Sequence, residues 1–203
     1  MGIAERRVRE RVELRQRILD AARELFMREG YERVTMRRIA EAIEYSPTAI
    51  YLHFEDKDDL VRALCSFEFS RLLEALPQQP PADPIEGLRQ LGLAYARFGL
   101  AHPNHYRFMF MTPREPHEHS GEGQRAFGLL LSAVERAVQS GRFQDGNTLA
   151  MAQALWSSIH GVIALLITYT PEQFPCHPPV EDLIERVVEN GINGFLAGGR
   201  ERR

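Results

Sequence analysis

The spacing of apolar positions along the chain is helical almost throughout, and strand-like alternation is nearly absent. The first amphipathic stretch runs from about Glu5 to Arg28. It puts Ile18, Ala22, Leu25 and Phe26 on one face and stops at Gly30, the usual residue just past a helix C-terminus. Thr35 caps a second helix whose Met36, Ile39, Ala40 and Ile43 form one apolar stripe. Three residues, Glu44 to Ser46, separate it from a short helix that starts at Pro47. Ser46 is a favoured N-cap there, and Pro47 suits a first position where an amide would lack a partner. In this helix Ile50, His53 and Phe54 face inward, leaving Thr48, Ala49, Tyr51 and Leu52 on other faces. Asp56 caps a fourth helix, Lys57 to about Leu76, with Asp59 placed to close a capping box.

The breaker-rich segment PQQPPADP is the clearest boundary in the chain. Beyond it, Asp83, Pro84 and Glu86 begin a helix that ends near His102 and Pro103. A short helix over HYRFMFM precedes the loop TPREPHEHSGEG. Two long helices follow, about Gln124 to Ser140 and about Thr148 to Tyr169, and a last one spans about Val180 to Leu196. The pattern predicts about nine helices and no sheet, an all-α fold.

Composition narrows the class. A chain of 203 residues, 44% of them hydrophobic, is long enough to bury a real core, and a net charge of -3 excludes a wholly basic coat. The charge is unevenly spread: Met1 to Phe54 carries eleven Lys+Arg against nine Asp+Glu, leaving -5 for the remainder. The two cysteines, Cys65 and Cys176, have no ligand or disulfide-framework spacing, which points to a reducing, cytoplasmic compartment. The arginine-bearing N-terminus has no apolar segment of the secretory kind. WSSIHGVIALLITY is too short to span a bilayer and is broken by Ser and His, so it reads as a buried helix rather than a membrane anchor.

Two helices joined by a tight turn, the second short and polar-faced and the pair preceded by a packing helix, form a helix-turn-helix, in which the second helix enters the major groove of DNA. SPTAIYLHF, Ser46 to Phe54, has no carboxylate, Lys or Arg. A carboxylate on that face would be repelled by phosphates, whereas Pro47, Thr48 and Ala49 can approach base edges and thymine methyls, and Tyr51 can donate to a phosphate. Arg37, Arg38 and Lys57 lie in first helical turns, where the helix dipole disfavours cations by about 0.3–1 kcal/mol. That placement suggests an external anion, with Thr35 and Arg37 on one side of the groove and Lys57 on the other. The alternative is that these cations are solvated and pair with Glu41, Glu55 or Asp58.

Ile18 to Leu64 resembles the DNA-binding head of the tetracycline-repressor (TetR) family. The likeness rests on the helix ending in Gly-Tyr, the capped TMRRIA, the IYLHF recognition helix and the lysine after it, in order and at the right spacing. The resemblance implies a helix-turn-helix head over residues 1-60 and a helical effector-binding and dimerisation body over 61-203. It also implies a homodimer on a palindromic operator, released by a small molecule, with DNA contacts from Thr35, Arg37, Ser46, Thr48, Tyr51 and Lys57. One position departs from the family pattern: Glu44 stands where the turn usually has Gly. If that site needs a positive φ, Glu is strained there, and its charge lies near the DNA.

In the body, YARFGLAHPNHYRFMF and WSSIHG resemble a subgroup carrying a Trp-His-Gly motif, here Trp156, His160 and Gly161. Phe98, His102, Tyr106, Met109, Phe110 and Phe127 can join Trp156 and His160 around an apolar pocket for a small apolar or aromatic effector. The alternative for each is ordinary core packing. Leu183, Ile184, Val187, Val188, Ile192 and Phe195 make a broad stripe on the last helix, interrupted by Gly191 and Gly194, which suit close helix approach. With Leu155, Ile159, Ile163 and Leu166 this helix can form a four-helix bundle across a two-fold axis; intrachain packing is the alternative. His117 and His119 fall short of the three or four convergent ligands a metal needs, and no cofactor motif is present. The sequence thus predicts a ligand-responsive repressor of transcription rather than an enzyme. The competing reading is a protein-interaction module that has kept the fold.

Overall fold

The structure, a computed structural model, describes residues 2–111, 121–174 and 179–198. His117, His119 and Cys176 lie outside them. Among the described residues there are nine helices and no strand. They are α1 (Ile3–Glu29), α2 (Met36–Ala42), α3 (Pro47–Tyr51), α4 (Lys57–Ala75), α5 (Pro84–Ala101), α6 (Pro103–Phe110), α7 (Gly121–Gln139), α8 (Thr148–Thr168) and α9 (Val180–Asn193). The chain forms two compact units, Met1–Phe69 with Asn104–Ser120 and Ser70–Pro103 with Gly121–Arg203.

In the first unit the stripes expected from spacing close on one another. Ile18, Leu19, Ala22 and Phe26 of α1, Ile39 and Ala40 of α2, Ile50 of α3, and Leu60 and Leu64 of α4 are all essentially inaccessible. Ile50 is the one buried residue of a five-residue helix, so it anchors α3 almost alone. Burying such a side chain stabilises by about 1.5–3 kcal/mol.

The helix starts follow the caps. Thr35 Oγ1 accepts from the Arg38 amide at 3.1 Å and Ser46 Oγ from the Ala49 amide at 3.3 Å. Asp56 Oδ1 accepts from the Asp59 amide at 2.7 Å, while Asp59 reaches back to the amide of Glu55 rather than to that of the cap itself.

A buried charge network fastens this unit. Glu68 of α4 is fully buried; its Oε1 accepts from Arg23 Nη1 of α1 at 2.9 Å, and its Oε2 meets His105 Nδ1 of α6. Burial alone would push the Glu68 carboxyl up, but His105 and then Arg23 outweigh it and hold it below the usual carboxylate range.

In the second unit α5 packs against α7, α8 and α9, and α8 packs against α7 and α9. Two glycines allow close approach. A Cβ on Gly92 would meet Val188 Cγ2 at 3.1 Å, and one on Gly191 would meet Leu155 Cδ2 at 3.0 Å. An isolated antiparallel bridge, Phe143 to Leu196, ties the segment before α8 to the end of the described chain. The last helix stops at Asn193, short of the expected Leu196, because these residues leave the helix to make that bridge.

α8 departs from the expected buried helix. It is 21 residues long, apolar enough to cross a membrane by length and composition, and only 28% of its most apolar window is buried. Ile159, Val162 and Ile163 enter the core, while Ala154, Ser157, Ser158 and Leu165 remain exposed. A Cβ on Gly161 would meet nothing within 4 Å.

Candidate nucleic-acid interface

α3 turns its uncharged residues outward. Ser46, Pro47 and Thr48 are exposed, Ala49 is half-buried, Tyr51 is 54% exposed and Leu52 71% exposed, while Ile50 and Phe54 hold the inner side. The cap hydroxyls of Thr35 and Ser46 accept backbone N–H bonds through a lone pair, so each keeps its proton for an outside acceptor such as a phosphate oxygen.

The turn before α3 has the geometry glycine usually supplies. The Tyr45 amide donates to the Ala40 carbonyl at 3.0 Å and the Glu44 amide to the Glu41 carbonyl at 3.2 Å, the paired bonds of a Schellman motif. That motif puts Glu44 at φ 61°, the sole positive φ of a non-glycine among the described residues. The turn has therefore not relaxed; Glu44 carries a left-handed conformation that disfavours an L-residue by about 1–2 kcal/mol.

The flanking cations have partners. Arg37 meets Glu41 at 3.1 Å, with the two side chains 81% and 54% exposed, and Arg38 meets Glu29 at 3.2 Å. The Arg37 pair is so exposed that it contributes at most about 1 kcal/mol, and a phosphate can replace the carboxylate. Lys57 instead folds against the head: its ammonium lies 3.8 Å from the Tyr31 ring centroid and donates to the Tyr31 carbonyl. Burial lowers its pKa. The Tyr31 hydroxyl donates to Asp58 at 2.7 Å, and burial followed by Asp58 pushes it up to about 12.

Sequence reasoning did not find Tyr31 as the partner of Lys57, or the Glu68 network. For Glu68 a signal existed: it stands in register with Leu60, Leu64 and Leu72, a carboxylate at a core position.

The residues expected around an effector fall into both units. In the second, the Trp156 indole N–H donates to Tyr95 Oη at 3.0 Å, and the Trp156 and His160 rings lie 5.3 Å apart. Phe98, on the same face of α5 as Tyr95, and His102, the residue that caps the end of α5, are edge to face at 5.2 Å. Phe127 is half-buried on α7, and burial lowers the pKa of half-buried His160. In the first unit, Tyr106 and Met109 are buried, and Phe110 lies 4.8 Å from Tyr106 and 5.5 Å from Phe69. An open groove of about 470 Å³ in the second unit is lined by Ser70, Leu73, Glu74, Gln78, Arg125 and Leu129, none of them an expected effector contact.

Of the residues expected at a dimer contact, Ile159 and Ile163 are buried within the protomer and have little or no surface to give a partner. Gly191 makes its close approach to Leu155 of the same chain, and the Phe195 ring lies tilted against Phe143 at 5.8 Å. Gly194 is exposed, and Leu155, Leu166, Leu183 and Val187 are half-buried.

A helix-turn-helix whose short second helix shows an uncharged outer face between capped helix starts is the geometry of a DNA-binding regulator. Two family profiles match: residues 18–64 as bacterial regulatory proteins of the tetR family, and residues 88–190 as a tetracyclin repressor-like C-terminal domain. The chain is 34% identical over 141 residues to the HTH-type transcriptional repressor AcnR of Corynebacterium diphtheriae, covering 64% of this chain and 68% of that one. To the AcnR of Corynebacterium glutamicum it is 38% identical over 74 residues, 36% of this chain and 39% of that one. The fold matches the TetR family regulator PfmR of Thermus thermophilus with a TM-score of 0.70 at 22% identity, over 92% of this chain and 97% of that one. The chain belongs to the tetR family.

Proposed function

We propose that this regulator represses transcription as a homodimer on a palindromic operator and is released by a small apolar or aromatic effector. The observation that carries the reading is the outer face of α3: exposed Thr48 and Tyr51 with no carboxylate, bounded by cap hydroxyls that retain a free proton. In the dimer, two α3 helices enter successive major grooves about 34 Å apart. Pro47, Thr48 and Ala49 meet base edges, while Thr35, Arg37, Ser46 and Tyr51 meet the backbone. Lys57 joins them by exchanging the Tyr31 carbonyl for a phosphate.

The dimer contact forms on the outer side of α8, where Ala154, Ser157, Ser158, Gly161 and Leu165 let a second helix approach closely, with Leu166, Leu183 and Val187 at its edge. The effector binds the second unit, at the Trp156 and His160 pair of the Trp-His-Gly motif together with Phe98, His102 and Phe127. It acts by preferring the state in which the α3 pair does not fit the operator; about 1.4 kcal/mol of differential affinity changes occupancy tenfold.

Footprinting the full-length protein on the DNA upstream of its own gene tests this reading. A protected palindrome, weakened by Tyr51→Ala at unchanged helix content, is expected. The second reading, a protein-interaction module, is favoured by the exposed Glu44 carboxylate beside α3, and it predicts no protection at all.

A further inference from the structure

The positive charge of the head does not lie on its helix-turn-helix. Gly2 to Arg17 holds six arginines and three glutamates, whereas Ile18 to Phe54 holds five arginines and six acidic residues. The surplus is carried by the first turns of α1, which precede the residues 18–64 matched by the family profile.

These turns project from the head beside α3. Arg15 Cζ lies 5.1 Å from the Phe54 ring centroid, just after α3, and Arg17 Cζ lies 5.2 Å from the Tyr45 ring centroid, just before it. Arg17 also donates to the Ile43 carbonyl at 3.4 Å. From Arg15 the helix continues outward through Arg11 and Arg7, one turn apart each, a row about 12 Å long at 1.5 Å per residue. Glu5 and Glu13 lie more than about 100° around the helix axis from both Arg7 and Arg11, and Glu10 lies about 100° from Arg11 but about 60° from Arg7. Glu10 instead pairs with Arg6, at 3.4 Å. Arg7 and Arg11 are exposed, with no carboxylate partner among the described residues.

We propose that the N-terminal extension of α1 is a second DNA-contacting element, in which Arg7 and Arg11 neutralise phosphates flanking the groove that α3 enters. This rests on the reading of α3 as the groove element. An arginine fork fits a phosphate, and a row of forks whose one neighbouring carboxylate, Glu10, is taken by Arg6 fits a polyanion. The exposed apolar residues next to the row, Val8 at 65% exposure and Val12 at 63%, are too few to build the roughly 800 Å² per partner of a stable protein interface. The extension thus supplies the sequence-independent part of affinity that the acidic head proper lacks.

The test uses full-length protein and the tightest duplex that wild type selects from random-sequence DNA. Affinity is titrated from 50 to 200 mM salt for wild type, the Arg7→Ala/Arg11→Ala double variant, an Arg6→Ala/Arg9→Ala control from the opposite face, and Tyr51→Ala. Circular dichroism checks that helix content is retained. In the double variant the fall in affinity across that salt range should shrink by about 3.5-fold for each phosphate contact removed. Its footprint should also shorten at the outer flanks, while the control keeps the wild-type footprint. If wild type binds DNA and Tyr51→Ala weakens it, yet the double variant matches wild type in slope and footprint, the row serves an acidic protein partner and the proposal is overturned alone. Equal losses in the control would overturn it too, by removing the face dependence. A wild-type protein that selects no duplex would overturn this proposal together with the reading of α3.

Discussion

α3 and α8 each leave one side uncovered by the protein, and the two sides differ in kind. The outer side of α3 offers hydroxyls at Thr48 and Tyr51, which water satisfies until a phosphate or base replaces it. The outer side of α8 offers Ala154, Ser157, Ser158, Gly161 and Leu165 on a helix whose most apolar window has a mean hydropathy of 1.6. Leaving apolar surface in water costs about 25 cal/mol per Å² at all times. A polar side suits a partner that comes and goes; an apolar side suits one that stays. The contrast fits the homodimer proposed above, held together throughout while its DNA contact comes and goes.

The largest expected effect separates the units that carry these helices. Glu68→Ala leaves Arg23 and His105 without their buried carboxylate and should destabilise the first unit by about 3–5 kcal/mol. Amide exchange in α1 to α4 should rise steeply, while fluorescence of the single tryptophan, Trp156 in the second unit, keeps its native signal. Loss of both signals together would mean that the two units do not unfold separately.

Next comes a charge on the apolar side. Leu165→Arg should weaken self-association by at least about 2 kcal/mol, more than tenfold in dissociation constant, as read by sedimentation. An unchanged oligomer would move the contact off this face.

Smaller still, Glu44→Gly relieves the left-handed strain before α3. It should raise the stability of the first unit by about 1 kcal/mol and tighten DNA binding by removing a negative charge. A denaturant midpoint that does not rise would show that the turn bears no strain.

The smallest effect is one of pH. His53, beside α3, is held below the ordinary histidine range by burial and then by Arg11 and Arg15; His160, on α8, is lowered by burial. The unfolded chain takes up protons near 6.5 that the folded form refuses, so this stability is complete above pH 6.5 and declines as pH falls toward the lowered values. His53→Gln should flatten that decline in the first unit, and His160→Gln should flatten it in the Trp156 signal. An unflattened decline in both variants would assign it to other groups.

The recognition helix was legible because its signals are local: a Ser-Pro start, a single buried Ile50 and a run without charge. The partners of its flanking cations were not, since Arg38 reaches Glu29 across the turn at Gly30 and Lys57 reaches Tyr31, 26 residues away. Spacing points Ile159 and Ile163 toward a dimer contact because α8 is apolar on more than one side and periodicity cannot say which side enters the core; the structure buries both within the protomer. The strain at Glu44 was legible from its departure from glycine; that the turn keeps its Schellman bonds despite it needed the backbone.

The central claim is that the side of α3 bearing Thr48 and Tyr51 meets DNA. Fluorescence anisotropy of the footprinted duplex, titrated with full-length protein at stepped salt, tests it most directly. A linear fall of log affinity with log salt, by about 0.9 per phosphate neutralised, and a weaker complex for Tyr51→Ala at unchanged helix content are expected. Affinity indifferent to salt, or unaltered by Tyr51→Ala, would contradict it.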